Sequence, residues 1–210
     1  MRIAIISETS AAARNADIVD ALEGRGHTLV NCGMKEAGAE PQLSYMHTSF
    51  LSALLLGLGR VDYVVGGCGT GQGFMNAALQ YPGVVCGHVL SPLDAWLFAR
   101  INDGNCASLA LNQGYGWAGD VNLRLIFDHL FSDERGSGYP PHRADPQRTS
   151  RDALAAVSLA THLPFARIVS ALPESVAVPS LSYPGIAELL DLGSVADRGL
   201  ALALAARMNR

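Results

Sequence analysis

The 210-residue sequence is short of charge: Asp, Glu, Lys and Arg make up 16% of it. Acids outnumber bases by 19 to 15, for a formal net charge of −4. Without a basic excess there is no electrostatic footprint for nucleic acid. No apolar run approaches the roughly 18–20 residues that span a bilayer. The longest, Leu51–Leu58, is broken by Gly57. The opening Met-Arg-Ile-Ala-Ile-Ile has neither the length nor the small-residue cleavage site of a signal peptide. The expectation is a cytoplasmic protein with no nucleic-acid and no membrane partner. The four cysteines, Cys32, Cys68, Cys86 and Cys106, form no Cys-x-x-Cys pair. In that compartment they are expected to be reduced. His47, His88 and His142 are scattered, and no metal or cofactor is suggested. There is no internal repeat and no heptad seam.

What is abundant is apolar surface, at 49% of residues. That suffices for a buried core without disulfide or metal staples. Short apolar runs alternate with helix-like segments over residues 1–131, which implies βαβ units and a parallel sheet. Strands are expected at Arg2–Ser7, His27–Asn31, Val61–Val65, Val84–Val89 and Ala107–Leu111. Helices are expected at Ser10–Glu23, Pro41–Leu58, Phe74–Gln80, from Ser91 with Pro92 at its first position, and at Trp117–Phe131. Residues 132–151 are polar and rich in Gly, Pro and Arg, and are read as a loop. Residues 150–210 read as helical, interrupted by Pro164, Pro173, Pro179 and Pro184. The fold class is therefore three-layer α/β/α with a five-stranded parallel sheet and a helical C-terminal extension. The division is 1–131 for the α/β domain and 132–210 for the extension, packing on the domain or on a second subunit.

Ligands on such sheets bind at the carboxyl ends of strands. That rule selects the loops Ser7–Ser10, Gly66–Gly73 and Leu111–Gly116. The middle one reads Gly66-Gly67-Cys68-Gly69-Thr70-Gly71-Gln72-Gly73. Glycines let backbone approach a ligand, and amides at a helix start bind anions. No Lys-Ser/Thr follows, so this is not a P-loop, and Cys68 makes it a poor dinucleotide fingerprint. Cys68 itself sits where amide dipoles favour a thiolate, which is a nucleophile or a base. The bland alternative is a small residue filling a tight turn.

Residues 1–131 resemble the ribose/galactose isomerase family, which includes ribose-5-phosphate isomerase type B and galactose-6-phosphate isomerase. The resemblance rests on Arg2–Ile6, Gly26-His27, Val61-Asp62, Cys68-Gly69-Thr70-Gly71-x-Gly73, Ala77-Ala78, Gly83 and Asn102-Asp103-x-Asn105. It implies strand order 2-1-3-5-4 and a cofactor-independent aldose–ketose isomerisation through an enediolate. It implies that Cys68 is the base. The amides of Gly69, Thr70, Gly71 and Gly73 would receive the oxyanion. Asn102 would reach substrate across the interface of a homodimer or larger assembly.

The sequence departs from the sugar-phosphate enzymes in three places. Glu8 and Thr9 stand where the family has Asp-His. Ile101 stands where it has a ring-opening histidine. Tyr139 stands at the first of two phosphate-gripping arginines, leaving Arg143. The chain also resembles the 4-deoxy-L-threo-5-hexosulose-uronate ketol-isomerases of the same family. The matches include Glu8-x-Ser10-x-Ala12, the full Gly-Cys-Gly-Thr-Gly-Gln-Gly run, Ile101-Asn102, Gly104-Asn105, Gly114-x-Gly116-Trp117 and Gly138-Tyr139-Pro140. A uronate carries a carboxylate, which one arginine can hold, and Arg143 and Arg148 are the candidates. The alternatives are a sugar-phosphate isomerase with an altered grip and an inactive sugar-binding paralogue. Glu8 is either a second acid/base or a helix-start acid. His88 is either a proton shuttle or a hydrogen-bonded core-edge residue. Gln72 either touches substrate or caps its helix. Trp96 and Trp117 are read as helix core.

Overall fold

The computed structural model describes residues 1–132 and 134–209. Five short strands form one parallel sheet: β1 Arg2–Ile6, β2 Thr28–Asn31, β3 Tyr63–Cys68, β4 Cys86–Val89 and β5 Cys106–Ala110. Their order is β2-β1-β3-β5-β4, as the family resemblance implied. β1 is built from alternating positions. Ile3 and Ile5 enter the core on one face of the sheet, and Ala4 and Ile6 enter it on the other. Both faces are therefore apolar, as expected of a sheet covered by helices on each side.

One face is covered by α1 (Asn15–Leu22), α4 (Pro92–Leu97) and α5 (Gly119–Leu130). Their Ile18, Leu22, Ala95, Leu123, Ile126 and Phe127 pack on Tyr63, Val65 and Leu109. The other face receives α2 (Tyr45–Gly57) and α3 (Gln72–Ala78). Over these fold three helices of the C-terminal extension: α7 (Phe165–Ala171), α8 (Glu174–Leu181) and α10 (Arg198–Met208), together with the short α9 (Ile186–Leu190). Val169, Val176, Leu181, Ile186 and Leu204 join the same core as Phe50, Leu54 and Phe74. Arg60, just ahead of β3, donates to the carbonyls of Leu190 and Asp191 and to Ser194, pinning that extension.

Several boundaries differ from the sequence reading, each for a local reason. β3 runs on through Gly66, Gly67 and Cys68, where the glycine-rich sequence predicts a loop. Those glycines serve proximity rather than looseness: a Cβ on Gly66 would lie 2.4 Å from the Phe74 ring, and one on Gly67 2.2 Å from the Leu109 carbonyl. α2 starts at Tyr45 rather than Pro41. Ser44 and His47 close a capping box there, and the Leu43 carbonyl is held by the Thr9 amide and hydroxyl. His47 also accounts for Pro179 within α8. Proline has no N–H to give the carbonyl one turn back, and His47 Nε2 donates to that carbonyl, Ser175 O, at 2.9 Å.

Residues 144–151 are helical, correcting their assignment to a loop. α6 spans Ala144–Thr161. Pro146 falls in its first turn, where the missing N–H costs nothing, beside the favourable acid Asp145. α6 runs beside the β4 edge, tied by Arg151 to the Ile101 and Gly136 carbonyls and by the Gly83 amide to Ser158. It buries none of its residues fully, and Leu154, Val157 and Leu159 are exposed. Among the described residues, no single helix is long and apolar enough to cross a membrane.

Candidate active site

Cys68 is the last residue of β3 and is 7% exposed. Its Sγ lies 3.9 Å from the Thr70 hydroxyl. The chain then turns through Gly69, Thr70 and Gly71 into α3, with Gly71 in the left-handed region at φ 75°. That conformation needs glycine twice over, since a Cβ there would fall 2.7 Å from His88 Nε2. Gly73 lies against the ring of Tyr45 at the start of α2. Cys32 and Cys106 are poorly placed to act as a base. Burial pushes the Cys32 thiol up to about 12. The Cys106 thiol is held protonated by its hydrogen bond to Cys86 and by burial. All four thiols are free.

The loop after β1 meets Cys68's loop side on. The Ser10 hydroxyl donates to Glu8 Oε1 and accepts the Gly69 amide at 2.8 Å. Glu8 is 5% exposed, so its carboxylate is nearly buried next to the glycine turn. Asn112, in the loop after β5, braces this unit: its amide nitrogen donates to the Ser10 carbonyl at 2.8 Å. From β4, His88 Nε2 donates to the Thr70 carbonyl at 2.9 Å. A carbonyl only accepts, so that nitrogen carries its hydrogen. Ser108, fully buried on β5, donates to the Gly71 carbonyl.

Not all amides of the turn are open to a ligand. Gly69 N–H is taken by Ser10, Gly71 N–H by the Cys68 carbonyl, and Gln72 N–H by the Thr70 hydroxyl. Among the described residues, the amides of Thr70 and Gly73 donate to no protein group. The Gln72 side chain is exposed at the first position of α3.

The structure thus gathers Cys68, Gly69, Thr70, Gly71, Gln72, Gly73, Glu8, Ser10 and His88 at the carboxyl end of the sheet. It does not bring Asn102, Asn105, Arg143 or Arg148 to them within one chain. Asn102 and Asn105 precede β5, whereas Cys68 is registered with Ala110 at that strand's far end. About 13 Å of strand lies between. Asn105 links the turn before β4 to β5, accepting the Val85 amide and donating to the Gly83 carbonyl. Asn102 is exposed and lines a groove of about 680 Å³ between β4, Leu79 and α6. Arg143 is exposed on a short turn, Pro141–Arg143, before α6, and Arg148 pairs with Asp145 at 2.7 Å.

Ser108 and Asn112 escaped the sequence reading because neither belongs to a motif; only their spatial partners reveal them. Trp117 was read as helix core and is 98% exposed. Its neighbour Tyr115 takes the inward place instead, packing on the core and donating to Asp17 at 2.6 Å. Among the described residues, no three His, Cys, Asp or Glu side chains converge to hold a metal ion.

The ribose/galactose isomerase family model matches residues 3–123. Among solved structures, the chain is similar to a 4-deoxy-L-threo-5-hexosulose-uronate ketol-isomerase complexed with a tartrate. The identity is 34% over 100% of both chains, with a TM-score of 0.92. It is similar also to a ribose-5-phosphate isomerase from Vibrio parahaemolyticus, at 36% identity over 99% of both chains and a TM-score of 0.92. The type B ribose 5-phosphate isomerase of Trypanosoma cruzi shares the fold, at 20% identity over 76% of this chain and 99% of its own, TM-score 0.64. No curated protein matches the chain.

Proposed function

The chain belongs to the ribose/galactose isomerase family and is an aldose–ketose isomerase; we propose that its substrate is a non-phosphorylated 4-deoxy-5-keto uronate. The observation that carries this reading is the pair Ile101 and Tyr139. Ile101 has no group that could move a proton to open a ring. The Tyr139 ring is stacked edge-on against Trp96 at 4.9 Å, not offered as a charged grip. A substrate that presents an open carbonyl and a carboxylate needs neither a ring opener nor a two-arginine phosphate clamp. The full-length likeness to an enzyme named for such a uronate, held with a tartrate, is consistent with this.

In the proposed reaction the Cys68 thiolate removes the proton from the carbon beside the aldehyde. The electron pair moves to the aldehyde oxygen, giving an enediolate held by the open amides of Thr70 and Gly73. Cys68 returns the proton to the former carbonyl carbon. Glu8, oriented by Ser10, moves the hydroxyl proton between the two oxygens. The carboxylate is held by Arg143 or Arg148, and Asn102 binds substrate hydroxyls.

The last three cannot come from the chain that supplies Cys68 unless the chain rearranges. We therefore propose a homodimer, or a larger assembly, in which each site takes Cys68 from one copy and Asn102 from another. The exposed apolar face of α6 and the groove holding Asn102 support that assembly. On this reading 1–131 is the catalytic domain and 132–210 the extension that braces it and builds the interface.

A second reading, ribose 5-phosphate, is favoured by the likeness to the Vibrio parahaemolyticus enzyme and by the arginines of residues 135–151. Proton NMR in D₂O with each sugar in a separate tube decides between them. Isomerisation of the uronate, with solvent deuterium at the carbon that receives the proton, is expected. Turnover of ribose 5-phosphate alone would overturn the substrate assignment.

A further inference from the structure

We infer that His88 and Ser108 are positioning residues: by anchoring the Thr70 and Gly71 carbonyls they fix the two peptide planes that lie between the open amides of Thr70 and Gly73, and so set how those two donors face substrate. The inference rests on the isomerase reading of the Cys68 turn. In a planar trans peptide the C=O and the N–H point in opposite directions. Whatever holds the carbonyls of residues 68–71 therefore decides where the amides of 69–72 point.

Each of these carbonyls is held from β4, β5 or the segment following β5. Cys68 O accepts the Leu111 amide at 3.1 Å, and Gly69 O accepts the Gln113 amide at 2.8 Å. These two anchors are backbone. The next two are side chains: His88 on Thr70 O, and Ser108 on Gly71 O. The two residues are direct register partners, His88 opposite Ser108, on adjacent strands. Together the four anchors hold one side of the turn on the sheet: the Gly69 amide turns to Ser10, the Gly71 amide to the Cys68 carbonyl and the Gln72 amide to the Thr70 hydroxyl, which leaves the Thr70 amide, and beyond the two side-chain anchors that of Gly73, open to substrate. The imidazole is packed against Gly71, with no room for even a Cβ between them.

This assignment differs from a proton shuttle. The Nε2 hydrogen of His88 is committed to Thr70 O, so the ring acts on the reaction through the backbone. Ser108, which cannot titrate, does the same work beside it. Nothing in the sequence marks Ser108, because its target is a carbonyl.

The test compares wild type with Ser108→Ala, His88→Ala and His88→Gln, using the sugar that wild type turns over in the NMR assay. Wild type that turns over ribose 5-phosphate instead of the uronate overturns the substrate assignment, and the variants are then measured with that sugar. Ser108→Ala and His88→Ala are expected to lower kcat about tenfold or more while KM changes less than about threefold, since misaimed donors cost most in the transition state. Gln keeps a donor at the Nε2 position, so His88→Gln is expected to recover most of the loss and to leave the shape of the pH–rate profile as in wild type. Circular dichroism confirms that each variant is folded. Ser108→Ala removes one hydroxyl and no volume of consequence, so it carries the test if His88→Ala fails to fold. Wild-type kcat in Ser108→Ala would overturn the inference. So would a His88→Gln variant as slow as His88→Ala that has lost one limb of the pH profile, the behaviour of a proton carrier.

Discussion

Replacing Ser10 by alanine tests whether Glu8 and the Cys68 turn act as one unit. The Ser10 hydroxyl is the single atom between them, accepting the Gly69 amide and donating to the Glu8 carboxylate. The first bond is neutral, worth about 0.5–1.5 kcal/mol; the second reaches a charged group, worth about 1.5–3 kcal/mol. Ser10 is at the surface, so water will recover part of both. A net loss of about 1.5–3 kcal/mol in transition-state stabilisation is the expectation, a fall in kcat/KM of about ten- to a hundredfold. The fold should be little affected, because the Asn112 amide still holds the Ser10 carbonyl and the Ala11 amide still closes on Glu8 O. Steady-state kinetics on the sugar turned over in the NMR assay, with a thermal melt alongside, read both quantities. Threonine at position 10 keeps the hydroxyl and should restore most of the rate. A Ser10→Ala enzyme with wild-type kcat/KM would refute the linkage, and with it Glu8's part in moving the hydroxyl proton.

Cys68→Ala should abolish turnover and leave the melt unchanged within a few degrees; retained turnover would move the base role to Glu8 or another group. Gly67→Ala should destabilise the protein by about 3 kcal/mol or more, read by urea titration, because its Cβ meets the Leu109 carbonyl at 2.2 Å and the residue sits at φ 153°. Wild-type stability there would mean that β3 and β5 separate cheaply. Asp62 accepts from the Arg2 side chain and amide, which hold its carboxyl at about 2. A carboxyl depressed in the folded state stabilises above its ordinary value of 3.8 and loses that contribution as pH falls towards 2. The pair is exposed, so Asp62→Asn should flatten acid unfolding in that window only slightly. An unchanged acid limb would show that the pair is screened entirely.

The sheet was legible because its signals are local. β-branched runs such as Ile3–Ile6 and Tyr63-Val64-Val65 announce strands on their own, and the glycine-cysteine run follows one of them directly. Its order came from the family resemblance, since hydrophobic period says nothing of which strand lies beside which. The start of α6 was missed because Asp145, Pro146 and Gln147 look like loop to a composition test, while a helix's first turn tolerates all three. Much of the candidate site was legible too: Cys68, Glu8 and Ser10 are chemistry-bearing residues in loops that the strand-end rule selects, and the structure brings them together. Ser108 and Asn112 were not, because serine on a strand and asparagine in a loop have no meaning until their carbonyl partners are seen. Trp117 differs in the opposite sense: a large aromatic near a helix suggests burial, but in this loop it is Tyr115 that packs on the core while Trp117 faces outward.

Asn102 and Cys68 stand at opposite ends of the same sheet, and on the proposed assembly that separation has a genetic consequence. A Cys68→Ala chain and an Asn102→Ala chain should each be inactive alone, but for want of different halves of the site. In a mixed dimer one site inherits both lesions and the other inherits neither. Unfolded together in equal amounts and refolded, the two dead proteins should reassort at random and regain about a quarter of the wild-type sites.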